Sequence, residues 1–424
     1  MNWVFIAGVV LFALGILFSI CLHEAGHMMT AKAFGMKVTR YFVGFGPTLW
    51  SFKRGETEYG VKAIPAGGFV KIIGMAPNDP DVQPGDEPRA FWNKPVWQRT
   101  IVLAAGSITH FILGFFILWI AAVFVGLPNV QGAPGARAEV GGVSTCAQRF
   151  DRERGEHGEF VPCSESDTKT PAKAAGIAPG DVITAVNGEK VHSWEAMSDK
   201  LKADKEGDIT LTVERDDKSR EVTLTPVVVE RPKADAKISE EQPRVKPSDI
   251  VATRVIGVEK ESTVTVGPIE GVVAATDYTG QVFKGTFVAL KKFPEKIPKL
   301  VEALTNEERD PETPVSVVGA SRIGGEAAEA GVWPIFFFLL ASLNVFIGIF
   351  NLVPLLPLDG GHVAIAWFQK VRSWWAAKRG RPDPGFVDYD KLMPITYAVI
   401  LVFGAISLLT IITDIVNPIT LSGS

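Results

Sequence analysis

Trp3-Val-Phe-Ile-Ala-Gly-Val-Val-Leu-Phe-Ala-Leu-Gly-Ile-Leu-Phe-Ser-Ile-Cys-Leu22, followed at once by His23-Glu24-Ala25-Gly26-His27, decides the class of this chain. The stretch from Trp3 to Leu22 contains no Asp, Glu, Lys or Arg. At a helical rise of about 1.5 Å per residue, about twenty residues cover the roughly 30 Å hydrocarbon core of a bilayer, so the run predicts a membrane span. No basic segment precedes it, and the helical pattern continues through the histidines to about Phe34, which separates it from a cleaved signal segment. Residues four apart on a helix share one face. His23 and His27 can therefore offer imidazole nitrogens to a single Zn²⁺, with Glu24 in reach of water beside the metal.

Three further runs lack Asp, Glu, Lys and Arg: Ile101 to Leu127, Val332 to Leu358 and Pro394 to Thr413. The pattern predicts four membrane crossings. A hydrophobic content of 47% and a mean hydropathy of +0.19 agree, because the chain also holds a long polar middle. The net charge of −4 excludes a generic nucleic-acid binder. Basic residues concentrate between the first and second runs, from Lys32 to Arg99, and between the third and fourth, from Lys370 to Lys391. Positively charged loops resist translocation, so both connections are expected in the cytoplasm. Both termini, which lack basic side chains, and the segment from Pro128 to Gly331 are then expected outside.

Within that polar segment, Thr170 to Val228 has the sharpest pattern. Pro179-Gly180-Asp181 is a turn that feeds the apolar strand Val182 to Val186, and Asn187-Gly188 suits a tight hairpin. Trp194 to Leu201 and the alternating strands Ile209 to Glu214 and Arg220 to Thr225 follow. This stretch resembles a PDZ domain of the bacterial protease type, to which a peptide can add by strand pairing. Arg231 to Pro247 reads as a linker. From Phe283 to Leu304, apolar residues recur among lysines, which fits an amphipathic helix on the outer membrane surface or a solvated helix packed on the PDZ domain, with Pro294 and Pro298 opposing a regular helix. Cys146 and Cys163 lie close enough in sequence for a local disulfide, with free thiols the alternative.

The third run ends in Asn351-Leu-Val-Pro354-Leu-Leu-Pro357-Leu-Asp359-Gly360-Gly361-His362. Prolines at 354 and 357 cannot sustain helical hydrogen bonds, and irregular backbone at membrane depth is tolerated where it lines a protein cavity. That aims Asp359 inward. A catalytic zinc typically takes three protein ligands, so Asp359 completes His23 and His27, with His362 a competing donor.

The His-Glu-Ala-Gly-His on the first span, the Asn-x-x-Pro-x-x-Pro-Leu-Asp-Gly on the third and a single inserted PDZ domain together resemble the site-2 protease family, in its one-PDZ branch. Gly44-Phe45-Gly46-Pro47, Ala66-Gly67-Gly68-Phe69-Val70-Lys71 and Gly324-Gly325-Glu326-Ala327-Ala328-Glu329-Ala330-Gly331 also look like family segments. The resemblance covers most of the chain. It implies a metalloendopeptidase that cuts peptide bonds inside the transmembrane segments of pre-trimmed single-span proteins such as anti-sigma factors. It further implies zinc held by His23, His27 and Asp359, Glu24 as general base, Asn351 holding the substrate backbone, and residence in a bacterial plasma membrane. Tyr59 to Ile73 alternates as strands around Pro65-Ala66-Gly67-Gly68 and looks like the family's membrane-associated hairpin. The expected fold is a polytopic α-helical membrane protein with four transmembrane helices, an inserted α/β PDZ domain and a membrane-associated β-hairpin. Its expected segments are 1–127, 128–168, 169–230, 231–331 and 332–424. A transporter has no need of the His, Glu, His order, and a non-proteolytic, membrane-anchored PDZ receptor has no need of Glu24.

Overall fold

The computed structural model describes residues 2–421 apart from 77–78, 129–136, 149, 152, 154–158, 165–168, 204–205, 217, 234–244, 262, 305–308, 311–312 and 390. Its helices are α1 (Trp3–Ala33), α2 (Val96–Ile120), α3 (Pro171–Ala174), α4 (Trp194–Ala203), α5 (Pro268–Glu302), α6 (Val317–Glu329), α7 (Trp333–Asn351), α8 (Asp359–Lys378) and α9 (Met393–Val416). Four helical segments are long and apolar enough to cross a membrane: α1, α2 extended by a π turn to Val125, α7 and α9. Each coincides with most of one of the uncharged runs, and the chain is a multi-pass membrane protein. The residues divide into two compact units, one of Met1–Val125 with Ala275–Ser424 and one of Gly126–Ala274.

Small residues set the packing of the helical unit. A Cβ on Gly324 would lie 2.5 Å from Phe12, and one on Gly8 would lie 2.6 Å from Ala328, so the Gly-Gly-Glu-Ala-Ala segment lets α6 approach the flank of α1. In a membrane, where lipid tails solvate apolar side chains as well as protein does, such close backbone approach is a main source of helix association. Phe12 closes the seam edge-on against Phe336 of α7 at 5.2 Å. The third uncharged run does not continue as one helix. α7 stops at Asn351, the Pro354 and Pro357 segment runs irregularly, and α8 begins at Asp359.

α5 is longer than the expected helix. It starts at Pro268 and passes through both Pro294 and Pro298. An interior proline costs roughly 3 kcal/mol, which tertiary contacts must offset. Within this unit Phe283 packs on Phe111 of α2 at 4.9 Å, Tyr278 meets Phe338 of α7, and Leu300 is fully buried. The helix therefore packs on α2 and α7 within this unit. The last turn of α9 is tied by a buried ion pair: Arg309 meets Asp414 at 2.7 Å with the two side chains 2% and 1% exposed, and Asp414 also accepts the Ser316 N–H.

Between α1 and α2, β1 (Val38–Arg54) and β2 (Thr57–Ile72) form a long antiparallel hairpin. The chain reverses at Gly55-Glu56 and again around Pro65 to Gly68, so the residues on either side of that segment run in opposite directions, as expected, but they flank the first part of β1 instead of pairing with each other. Gly44 and Gly46 take positive φ of +87° and +82°, which bends β1. Its first part then pairs on both sides, with Tyr41 opposite Val70 and also opposite Tyr59.

The second unit holds a four-stranded sheet in which Lys218–Leu224, Ile209–Arg215, Val182–Val186 and Glu189–Lys190 lie side by side in that order. Asn187 and Gly188, with φ of +50° and +79°, make the two-residue turn between the last two strands. Ile183, Leu211, Val213 and Met197 of α4 form its core, and Ala138, Val140 and Ile256 belong to the same core. The packing thus reaches beyond residues 169–230, because the 138–140 segment pairs along Val182–Val186 through Val140 N–H to Asp181 O and Ile183 N–H to Ala138 O. Asp181, its side chain fully buried, is gripped by Arg215 at 2.5 Å. Cys146 and Cys163 are joined by a disulfide, and Cys21 is free. Most of the expected linker, at 234–244, lies outside the described residues. Its flanks pair as antiparallel strands, Val227–Pro232 with Ile250–Val255.

Candidate metal centre

His23 and His27 fall one turn apart on the buried face of α1, 7% and 6% exposed. Asp359 opens α8, where the interrupted helix leaves its carboxylate free to turn inward. The Asp359 Oδ2 atom lies 3.3 Å from the Nε2 of each histidine, and the two Nε2 atoms are 3.0 Å apart. The three residues offer donor atoms that all lie within 4.8 Å of one another, and they form the one cluster of metal-binding type among the described residues.

The chemistry of these donors calls for a cation. His27 Nδ1 lies 2.7 Å from the Val102 carbonyl, which can only accept, so that nitrogen bears the proton and Nε2 presents a lone pair. That lone pair faces a carboxylate oxygen which is itself buried without a hydrogen-bond partner. Acceptors facing acceptors in an apolar site repel unless a positive ion lies between them. The fit is sterically demanding as well: a Cβ on Gly106 of α2 would lie 2.5 Å from the Nε2 atoms of both His23 and His27. Gly26 similarly lets α1 approach α2, since its Cβ would lie 2.8 Å from the Ala105 carbonyl oxygen.

Glu24 sits beside this group on the next helical position, where its Oε2 accepts the Val70 N–H of β2 at 2.9 Å. Gly68 leaves room there, with its Cβ position 3.5 Å from Glu24 Cγ. The hairpin therefore reaches the centre through its backbone. Two sequence candidates stand apart. His362 is one turn along α8 from Asp359, stacked on Tyr389 at 6.2 Å and outside the cluster. Asn351 is the last residue of α7, partly exposed, and no side-chain hydrogen bond joins it to the three donors among the described residues.

Residues that sequence reasoning passed over complete the setting. His110 of α2, 1% exposed, packs its ring 5.0 Å from that of His23. Its Nδ1 meets Asn344 Oδ1 of α7 at 2.9 Å, and Asn344 Nδ2 donates to the Leu340 carbonyl. The signal was present, because a histidine inside the uncharged run Ile101 to Leu127 and an asparagine inside Val332 to Leu358 are polar groups that lipid cannot satisfy. Gly106 and Val102 carried no such mark.

Comparison with known proteins identifies the class that builds such a centre among membrane helices. Residues 11–381 match the profile of peptidase family M50, and the chain belongs to that family: it is a metalloprotease of the membrane. It is 42% identical over 419 residues, covering 98% of each chain, to zinc metalloprotease Rip1 of Mycolicibacterium smegmatis. Identity to zinc metalloprotease Rip1 of Mycobacterium tuberculosis is 39% over 417 residues, 98% of this chain and 99% of the other. A more distant relative, the probable membrane metalloprotease ARASP2, chloroplastic, of Arabidopsis thaliana, is 28% identical over 364 residues, 84% of this chain and 70% of that one.

Proposed function

We propose that this metalloprotease binds Zn²⁺ through His23 Nε2, His27 Nε2 and an Asp359 carboxylate oxygen, and that Glu24 is its general base. The convergence of those three donors at the end of an apolar helix is the observation that carries the reading. Zinc, when bound, supplies Lewis acidity that polarises a scissile carbonyl and lowers the pKa of water to about 7. Glu24 takes the proton of the attacking water and returns it to the amide nitrogen of the departing chain. Val102 holds His27 in the tautomer that leaves Nε2 free, and the buried position of the group limits access of bulk water.

Substrates are single-span membrane proteins, anti-sigma factors among the class, already trimmed outside the bilayer. A peptide bond in a helix is shielded by its own hydrogen bonds, so the substrate must unwind before attack. The hairpin offers a strand edge for that: Val70 N–H points away from β1 toward Glu24, and an extended substrate segment can pair along the same edge. Phe45, Leu49, Trp50 and Ile64, all exposed on the hairpin, support its contact with lipid. Asn351, at the broken end of α7, is assigned to the substrate backbone.

The sheet unit is a PDZ domain, supported by the match of its strands and helix to the sequence pattern of Thr170 to Val228. It lies outside the bacterial plasma membrane with both termini, as an even number of spans and the basic loops at 32–99 and 370–391 favour. The deciding experiment compares membrane-protein fragments that accumulate in cells with the native chain and with Glu24→Gln. Intact single-span substrates accumulating in the variant alone support the reading, and identical fragment patterns overturn it.

A further inference from the structure

The connection between the third and fourth spans carries a surface that the protease chemistry does not use. α8 begins at Asp359 and runs for 20 residues, about 30 Å at the helical rise, to Lys378. Its inner face packs on α2, where Gln369 accepts from Arg99 and Trp367 donates to Thr100. Its outer face toward the C-terminal end is left open, with Phe368 58%, Trp374 52% and Trp375 50% exposed.

Cations are laid on these rings. Lys378 Nζ stands 4.3 Å from the Trp374 ring centre and the Arg379 guanidinium stands 4.4 Å from that of Trp375. Lys370 and Arg381 add to the same end, and no Asp or Glu occurs between Gly360 and Pro382. Among the described residues, Lys370, Lys378, Arg379 and Arg381 make no ion pair with a carboxylate. Trp374 and Lys378, four apart, share one stripe, and Trp375 and Arg379 share the next.

The surrounding chain fixes what such a surface meets. α7 and α9 on either side are long and apolar enough to be membrane spans, so the segment that joins them, α8 included, lies by one face of the bilayer. Indole rings favour the headgroup level of a bilayer, and clustered Lys and Arg favour anionic headgroups, at roughly 1 kcal/mol for each cation near the surface. We propose that the outer face of α8 is a docking site for anionic phospholipid, with Trp374 and Trp375 inserted at headgroup depth and Lys370, Lys378, Arg379 and Arg381 on the phosphates. Because Asp359 is the first residue of the same helix, seating the far end of α8 on charged lipid fixes the depth of that carboxylate in the membrane. The lipid contact is independent of the assignment of Glu24 and the zinc ligands. Its effect on cleavage rests on that assignment.

The test uses the full-length protein in nanodiscs of phosphatidylcholine alone or with about one quarter phosphatidylglycerol. Hydrogen exchange of residues 367–381 reads docking directly, and cleavage of a single-span substrate reads its consequence. Phosphatidylglycerol should slow exchange in this segment and raise cleavage roughly tenfold. The combined Lys370→Gln, Lys378→Gln, Arg379→Gln and Arg381→Gln variant should behave in both discs as the native chain does in phosphatidylcholine, with native zinc content. Arg379→Lys with Arg381→Lys should keep the response. Exchange that is identical in the two lipids overturns the proposal, as does a glutamine variant that still responds. Inorganic phosphate at millimolar concentration in phosphatidylcholine discs should change nothing, and protection by it would replace lipid with a soluble anion. Lipid-dependent exchange without any cleavage would leave the docking site standing and remove the protease assignment instead.

Discussion

The Glu24 carboxylate accepts a hydrogen bond from the backbone N–H of Val70 at 2.9 Å, across 46 residues of sequence. This joins the helix that bears the two histidines to the edge of the hairpin strand β2. The residue assigned to move the proton is thus held by a backbone group with no side chain to mutate away. Replacing Val70 by proline removes the donor while leaving the side-chain packing small and apolar. A neutral donor to a charged acceptor is worth about 1.5–3 kcal/mol, so cleavage should fall roughly tenfold or more with zinc content unchanged. Equal cleavage rates for the two proteins, measured on a purified single-span substrate, would separate the hairpin from the chemistry.

Glu24→Gln keeps the size of the side chain and removes its basicity. Cleavage should drop by about 10²–10⁴, the usual range for loss of a general base, while metal analysis still finds zinc. Persistent turnover would move the proton to another group.

The ligand set predicts which substitutions release metal. His23→Ala, His27→Ala and Asp359→Ala should each lower bound zinc, and His362→Ala should leave it, since that ring lies outside the cluster. Gly106→Ala should also lose zinc, although it removes no donor, because the added methyl would stand 2.5 Å from both Nε2 atoms. Full zinc in Gly106→Ala would mean that α2 yields easily at this point.

In the sheet unit, burial pushes the Asp181 carboxyl up, but the Arg215 guanidinium, the Ala178 N–H and Arg220 outweigh it and hold the group below its usual range. A depressed folded pKa stabilises the fold at pH above the unfolded value of about 3.9 and loses that contribution as pH falls through the folded value. Hydrogen exchange in Val182–Val186 and Ile209–Arg215 should therefore accelerate as pH drops below about 4, beyond the intrinsic pH trend. Asp181→Asn should show fast exchange at neutral pH and little further change on acidification. A variant with native protection would place the stability of the sheet elsewhere.

Orientation is open to labelling of one introduced cysteine in a Cys21→Ala background, in which Cys146 and Cys163 are tied in their disulfide. An impermeant reagent applied to intact cells should reach a cysteine at Lys202 and should reach one at Arg54 only after lysis. The opposite result reverses the topology.

The sequence alone determined the spans and the class of chemistry, and it held the motifs from which the proposed donors come. Charge-free runs near the bilayer length and a four-residue spacing on one helix face are local properties, and locality is what a linear pattern records. The same holds for the Asn187-Gly188 turn and the strands beside it. Other features depended on atoms far apart in the chain. The inward turn of Asp359 toward His23 and His27 was legible as an interrupted helix, but that Asp359 and not His362 lies within 3.3 Å of both rings follows from the packing of α8 against α2. Gly106 is visible only as the space two imidazoles occupy. The strands on either side of Pro65 to Gly68 are held apart by a third, because β1 bends at Gly44 and Gly46 so that Tyr41 pairs with both Tyr59 and Val70. α5 passes through two prolines because its contacts with α2 and α7 outweigh a local penalty that the sequence states correctly. Local rules set what each segment can form, and only tertiary contacts, summed over several helices, set which of those forms is kept.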